Sequence, residues 1–480
     1  MTKRIIYYIL LLFLLADISY SFVQHLKMPL DGDMAAGIIP SNDVKKIFED
    51  PFGISVITKN AVYPNPNRFF AHWTFSKYFL YTPIALQNIV NPIDSIYLSC
   101  AFAKIVIQIL IITLLAFCIT GNPKIFSKEF LIGAVLIVPL FQVNGYRSYM
   151  GIIDPSVTYT FFYALPCALL LLFYYPFFKT SYYRNKFTSG KIKITLLLCL
   201  AVIVVLNGPL NPGVILIISL LYVLNNWRNN YAASTDFPFF QRLLNALNCI
   251  PKPHLFFFIL IGILSIYSLL IGVNNSIFIG DSIPVHQRFY RLPLGLYYLI
   301  TQKIGFPVLL LMIIINSYLI SKYYKNTEGQ KILNILKWIC IFASFYIILL
   351  PLGGYKSYRP YILRYDTIMP VTILLIFIYG KSTYFLIKNL TANSKKMYIS
   401  FVIVFSFIFI FADQPEFEKN ECEIAAIKTI SQSKENIVLV KNDCTIMAWE
   451  KFKDPNESEL NAQLFNYWGL TNEKKLYYQK

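Results

Sequence analysis

Charge is what this chain has least of. Of its 480 residues only 14% are charged, against about 25% in a soluble globule. Acidic residues are the scarcer sign, with 25 Asp and Glu facing 43 Lys and Arg. Histidine occurs 4 times, and no CxxC or Cys/His metal spacing is present. The first shortage excludes a soluble globule. The last leaves no framework for a zinc ribbon or finger.

What fills the chain instead is apolar: 56% hydrophobic and 17% aromatic, with a mean hydropathy of +0.54. The apolar runs recur along most of its length, which predicts one large polytopic membrane domain. The net charge of +18 does not point to nucleic acid. Lysine collects in the loops between runs, as the positive-inside rule produces. No basic stretch carries the interleaved aromatics that nucleic-acid binding uses.

Hydropathy gives about eleven spans. They fall near 5–22, 96–120, 130–143, 157–177, 194–206, 214–224, 255–273, 306–320, 338–352, 367–379 and 397–412. The first reads as a retained signal anchor with its N-terminus in the cytoplasm, because no small-x-small cleavage site follows it. The expected architecture is an all-α membrane domain over 1–412 with an extracytoplasmic tail over 413–480. A long first extracytoplasmic loop covers 23–94, and its aromatic part, from Asn67 to Leu86, reads as one or two surface helices.

The cysteines agree with that topology. Cys100, Cys118, Cys167, Cys199 and Cys340 lie in apolar runs, where cysteine is a small hydrophobe. Cys249 lies in a basic loop, and Cys422 and Cys444 stand alone in the tail. A pair alone in a tail suggests a disulfide, which needs an oxidising compartment. Lysine-rich loops fall on one side of the membrane and the cysteine pair on the other.

Chemistry is sought where a first apolar run meets water. Met28-Pro29-Leu30-Asp31-Gly32-Asp33-Met34 follows the first span directly. A carboxylate there can deprotonate an incoming hydroxyl; the plain alternative is an acidic turn. Carboxylates and water can also hold Mg or Mn, although the ligand count is thin. Most arginines, unlike lysine, fall in the outer loops: Arg68, Arg147, Arg288, Arg291, Arg359 and Arg364. A guanidinium matches phosphate bidentately, so the set suggests an anionic substrate, with anchoring to lipid phosphates as the rival. Lys104 lies one turn from Gln108 inside the second span and faces a polar cavity or snorkels. His72 is a candidate acid or base, or an interfacial packing residue. Asp366 is a partner for Arg364 or Arg359, and Asp154-Pro155 reads as a turn.

This assembly resembles the GT-C superfamily of integral membrane glycosyltransferases. The likeness rests on the acidic motif early in the first external loop, the surface helices, the many spans and a late loop with Tyr358-Arg359-Pro360 and Arg364-Tyr365. It implies a sugar donor carried on a polyprenyl phosphate and an acceptor that is a glycan or a lipid. Asp31 or Asp33 would supply the catalytic carboxylate. Arg359, Arg364 and Arg288 would hold the donor phosphate, with Lys104, Arg68, His72 and Tyr358 beside them. No WWD-type signature of an oligosaccharyltransferase occurs, and the tail is small, which speaks against peptide glycosylation. The Asn-, Lys-, Ile- and Tyr-rich composition looks bacterial and implies an inner membrane with the active side periplasmic. Three other readings compete: a transporter or flippase with an inverted repeat around a midplane site, an O-antigen-type polymerase or ligase, and a non-catalytic assembly component. No clear internal repeat is present, and the long loop comes first rather than late.

Overall fold

The first helix needs no special sequence device: an uninterrupted apolar run makes α1, Lys3–Leu26. The structure is a computed structural model that describes residues 3–142, 151–187, 190–233, 238–248, 250–279, 283–359 and 361–480. Arg147 with the turn at 144–149, Cys249 and Pro360 lie outside the described residues.

After α1 the chain forms three short helices, α2 (Met34–Ile38), α3 (Asn42–Glu49) and α4 (Ile54–Lys59). Then come α5 (Phe69–Leu86) and α6 (Pro92–Thr120). Asn91 caps α6 by accepting from the Asp94 amide, Pro92 starts it without a wasted donor, and Gly121 at φ +76° ends it. α7 covers Lys128–Ile137 and α8 Val157–Tyr183. Pro166 has no N–H to return to the carbonyl of Phe162, and over Thr160–Ala164 the helix is wound as a π turn.

The chain continues through α9 (Lys191–Val205), α10 (Asn211–Ala233), α11 (Phe239–Asn248) and α12 (Lys252–Gly272). Two short helices follow, α13 (Val285–Tyr290) and α14 (Leu292–Thr301). The last helices of the bundle are α15 (Gly305–Tyr323), α16 (Thr327–Leu349), α17 (Met369–Asn389) and α18 (Ala392–Ala412).

Among the described residues 8 helices are long and apolar enough to cross a membrane: α1, α6, α8, α12, α15, α16, α17 and α18. The chain is a multi-pass membrane protein. The other three predicted spans fall on α7, α9 and α10, which are helical but outside that set. α9 has 15 residues and rises only about 22 Å, short of a hydrocarbon core of about 30 Å. α10 ends in the polar run Asn225-Asn226-Trp227-Arg228-Asn229-Asn230. α17 and α6 are the most enclosed of the spanning helices, and an apolar core of Ile, Leu and Phe surrounds them.

A second apolar core sits at one end of the bundle, here called the loop face. It joins Leu30, Met34, Phe75 and Phe79 to Tyr97 of α6 and to Ile427, Val440, Trp468 and Tyr477 of the tail. The tail consists of α19 (Glu421–Gln432), β1 (Ile437–Val440), α20 (Glu459–Tyr467) and β2 (Leu476–Gln479). β1 and β2 pair in parallel, Ile437 opposite Leu476, and the intervening segment that carries α20 supplies the crossover such strands need. These strands depart from the all-helical expectation. Cys422 and Cys444 are disulfide-bonded, tying α19 to the loop after β1. Trp468 donates its indole N–H to Phe79 O at 2.9 Å, and Gln87 donates to Trp468 O at 2.7 Å. Tail and first loop therefore fold as one body.

Candidate active site

The acidic motif bends straight out of α1 and is fixed by the start of α8. Asp31 is buried. Its Oδ1 accepts from Thr158 Oγ1 at 2.7 Å and from the Asp33 amide at 3.1 Å, and its Oδ2 accepts from the Thr158 amide at 3.1 Å. A carboxylate at a helix N-terminus also meets the positive end of the dipole. Asp154 serves the same helix start, accepting from the Ser156 amide at 2.8 Å. Both oxygens of Asp31 are thus spent on holding the loop to α8.

Asp33 differs. Its carboxyl reaches solvent although protein surrounds much of it. The Trp449 indole lies beside it, against Gly32, and Asp31, Arg359 and Lys356 lie within electrostatic reach. Burial pushes its pKa above the ordinary aspartate value; Asp31 adds to that, while Trp449, Arg359 and Lys356 oppose it. Among the described residues no three His, Cys, Asp or Glu side chains come together that could hold a metal ion.

The arginines converge from two segments on Tyr163 of α8. Arg68 stands just before α5; Arg359 and Arg364 belong to the loop between α16 and α17. All three lie within electrostatic reach of the Tyr163 hydroxyl, as does Asp366. Arg364 is matched, its Nε to Asp366 Oδ1 at 3.0 Å and its Nη2 to Oδ2 at 2.6 Å. Arg68 has no such match: its Nε is buried with no hydrogen-bond partner among the described residues. Burial lowers its pKa, and Arg359 lowers it further. Arg359 lies over the Tyr358 ring at 5.5 Å from its centre. Tyr159 stacks on Tyr163 with centroids 5.7 Å apart and sits 6.4 Å from the Trp449 ring. An aromatic row thus runs from the open carboxylate to the arginines.

The remaining candidates support this arrangement from behind. Arg288 spends its guanidinium on backbone, donating to Ile283 O at 2.6 Å and Pro351 O at 3.3 Å, and also to Gly353 O. It braces the start of the arginine loop. Arg291 and Tyr355 both donate to Arg359 O, at 3.5 and 2.7 Å. Lys104 is buried in α6 and donates to Pro155 O, ahead of α8. His72 is buried and edge-on to Phe162 at 4.7 Å. Asn65 takes a bond from Asn275 on its amide oxygen at 3.2 Å, so its amide nitrogen faces His72 Nε2, also at 3.2 Å. Nε2 therefore accepts, leaving the proton on Nδ1, which is buried without a partner among the described residues. Burial, helped by Arg68, pushes the His72 pKa down to about 3, so the ring is neutral.

Four members were not singled out by the sequence. Trp449 lies in the tail, far along the chain from Asp33. Tyr159 and Tyr163 look like ordinary aromatic residues at the end of a span. Lys356 sits inside the late loop but reads there as one more cation.

No protein-family model matches the chain, and no curated protein matches it. Among solved structures it is similar to ArnT from Cupriavidus metallidurans in the apo state, at 14% identity and a TM-score of 0.39. The match covers 89% of this chain and 65% of that one, so the chain spans less than two thirds of that protein's length.

Proposed function

We propose that this protein is a membrane glycosyltransferase of the GT-C type, which moves a sugar from a lipid-phosphate carrier to an acceptor at the outer face of a bacterial inner membrane. The N-terminus is then cytoplasmic and the tail periplasmic. One observation carries the reading: a solvent-reaching carboxylate, Asp33, stands in the field of Arg359, whose neighbours around Tyr163 include Arg68, with an Nε that has no partner among the described residues.

Asp33 is the general base. It takes the proton of the acceptor hydroxyl as that oxygen bonds to the sugar's anomeric carbon. The bond from that carbon to the phosphate oxygen breaks, and its electron pair leaves on the phosphate. Arg68 and Arg359 hold the phosphate and offset its growing charge, with Arg364 held in line by Asp366. The neutral Nδ1–H of His72 is a further donor beside Arg68. Asp31, Arg288 and Lys104 are positioning residues, because their polar atoms bond to the protein itself. A raised pKa suits Asp33 to its task, since a stronger base takes a hydroxyl proton more readily.

The test is donor cleavage. Membranes with the full chain receive polyprenyl-phosphate-linked hexoses and pentoses labelled in the sugar, and label leaving the lipid is counted. The reading expects cleavage that Asp33→Asn abolishes. Equal cleavage by the altered and unaltered proteins, or none with any donor, overturns it. A transporter instead would move intact labelled lipid across the bilayer with Asp33→Asn in place.

A further inference from the structure

We propose that Trp449 is the platform on which a pyranose ring of the acceptor stacks, which makes the acceptor a carbohydrate; this rests on the transferase reading above. The tail has two tryptophans, and they are used in opposite ways. Trp468 is 1% exposed and packs the loop-face core, whereas Trp449 is 56% exposed. Exposing a large aromatic is unfavourable in water.

The exposed indole is nevertheless held in place. Its loop is tied to α19 by the Cys422–Cys444 disulfide. The Met447 amide donates to Glu423 Oε1 at 2.7 Å. Asn461 Nδ2 donates to Ile446 O and Met447 O, at 3.1 and 3.0 Å. Gln479 Nε2 donates to Cys444 O at 2.6 Å. Met447 itself sits at φ +45°, a left-handed conformation that non-glycine residues adopt only when their surroundings impose it. The indole then rests against Gly32, where a Cβ would come within 2.6 Å of the Trp449 ring. Glycine is therefore required between the two aspartates. A side chain fixed this firmly and left open has already lost the freedom that binding would otherwise remove.

The chemistry of the position selects the ligand. One face of a pyranose is a patch of C–H groups, which the π face of an indole accommodates, while the hydroxyls point outward from the ring edge. A ring on Trp449 carries its hydroxyls beside Asp33, because the indole rests against Gly32, the residue just before that carboxylate. The phosphate and its lipid belong at the far end of the aromatic row, where the arginines are. Carboxylate and platform thus share the acceptor side of the site.

The test reads binding rather than turnover. The full chain in nanodiscs is titrated with methyl glycosides of glucose, galactose, mannose and N-acetylglucosamine, and saturation-transfer NMR follows the ring protons. At least one glycoside is expected to bind, about fivefold more weakly to Trp449→Leu than to Trp449→Phe, which keeps a ring and loses the N–H. A second measurement uses the unaltered protein: the same glycoside protects Trp449 from N-bromosuccinimide oxidation, read by mass spectrometry of its peptide. No binding by any of the four, equal binding by the two variants, or no protection at Trp449 overturns the proposal. The transferase reading fails separately, if Asp33→Asn leaves donor cleavage unchanged.

Discussion

The loop face has a closed side and an open side. On the closed side Asp31 accepts from Thr158 and Asp33, and Glu423 accepts from the Leu30 amide at 2.9 Å, Tyr97 Oη at 2.7 Å and the Met447 amide. Apart from the Asp33–Asp31 bond, which closes the turn on itself, each of these bonds joins two segments of the chain. On the open side Asp33 reaches solvent, the Nε of Arg68 has no partner among the described residues, and Trp449 shows its ring to water. Buried polar groups are normally satisfied. A saturated group is therefore scaffold, and an unsatisfied one beside it marks where a ligand supplies what the protein does not.

Asp31 and Asp33 put this contrast to its hardest test, being two residues apart and chemically identical. Asp33→Asn is expected to lower transfer by about a thousandfold, as loss of a general base does, with the unfolding midpoint in detergent unchanged. Asp31→Ala is expected to destabilise the fold by about 2 kcal/mol, because Thr158 loses the acceptor for two donors. Swapped outcomes would reverse the roles assigned to the two carboxylates.

The arginines divide in the same way. Removing Arg364 leaves the buried Asp366 carboxylate without its bidentate partner, so Arg364→Ala should cost about 3 kcal/mol of stability, read as the unfolding midpoint. Arg68 pays desolvation with an unmatched Nε, so Arg68→Ala should leave that midpoint unchanged or raise it. Donor cleavage should fall by about a hundredfold in the same protein, the size of effect seen when one transition-state donor is lost. A loss of stability in Arg68→Ala with activity intact would move Arg68 to the closed side.

Much of the bundle was legible in the sequence because hydropathy is local. The eight helices that, among the described residues, are long and apolar enough to cross a membrane announce themselves by long apolar runs. α7, α9 and α10 form where runs were seen, but their length and their polar ends depend on packing that the runs do not encode. The acidic motif was legible by position alone. Which of its aspartates is open was not, because the choice is made by Thr158, 127 residues away along the chain. The arginine loop was visible as a cluster, yet Arg288 looked like a ligand contact and turns out to hold Gly353 O. A guanidinium has five donors, and sequence cannot say whether backbone or ligand will take them. Trp449 was invisible because its meaning comes only from lying against Gly32.

The smallest effect concerns the seam between tail and loop, and it sharpens the closed side. Burial raises the Glu423 pKa to about 7, against the bonds from Met447, Leu30 and Tyr97, which lower it; Asp31 nearby raises it further. In the unfolded chain a glutamate titrates near 4.5. Between these values the folded protein holds a proton that the unfolded chain has released. Stability is therefore greatest on the acid side, declines as pH rises towards the folded value, and is flat above it. Between pH 6 and pH 7 the loss amounts to about 1 kcal/mol. The quantity to measure is the difference from Glu423→Gln, which cannot titrate. Tail docking, followed by proteolysis between α18 and α19, should lose part of its pH slope in that variant. An unchanged slope would mean that Glu423 is already ionised in the fold, its three donors together outweighing its burial.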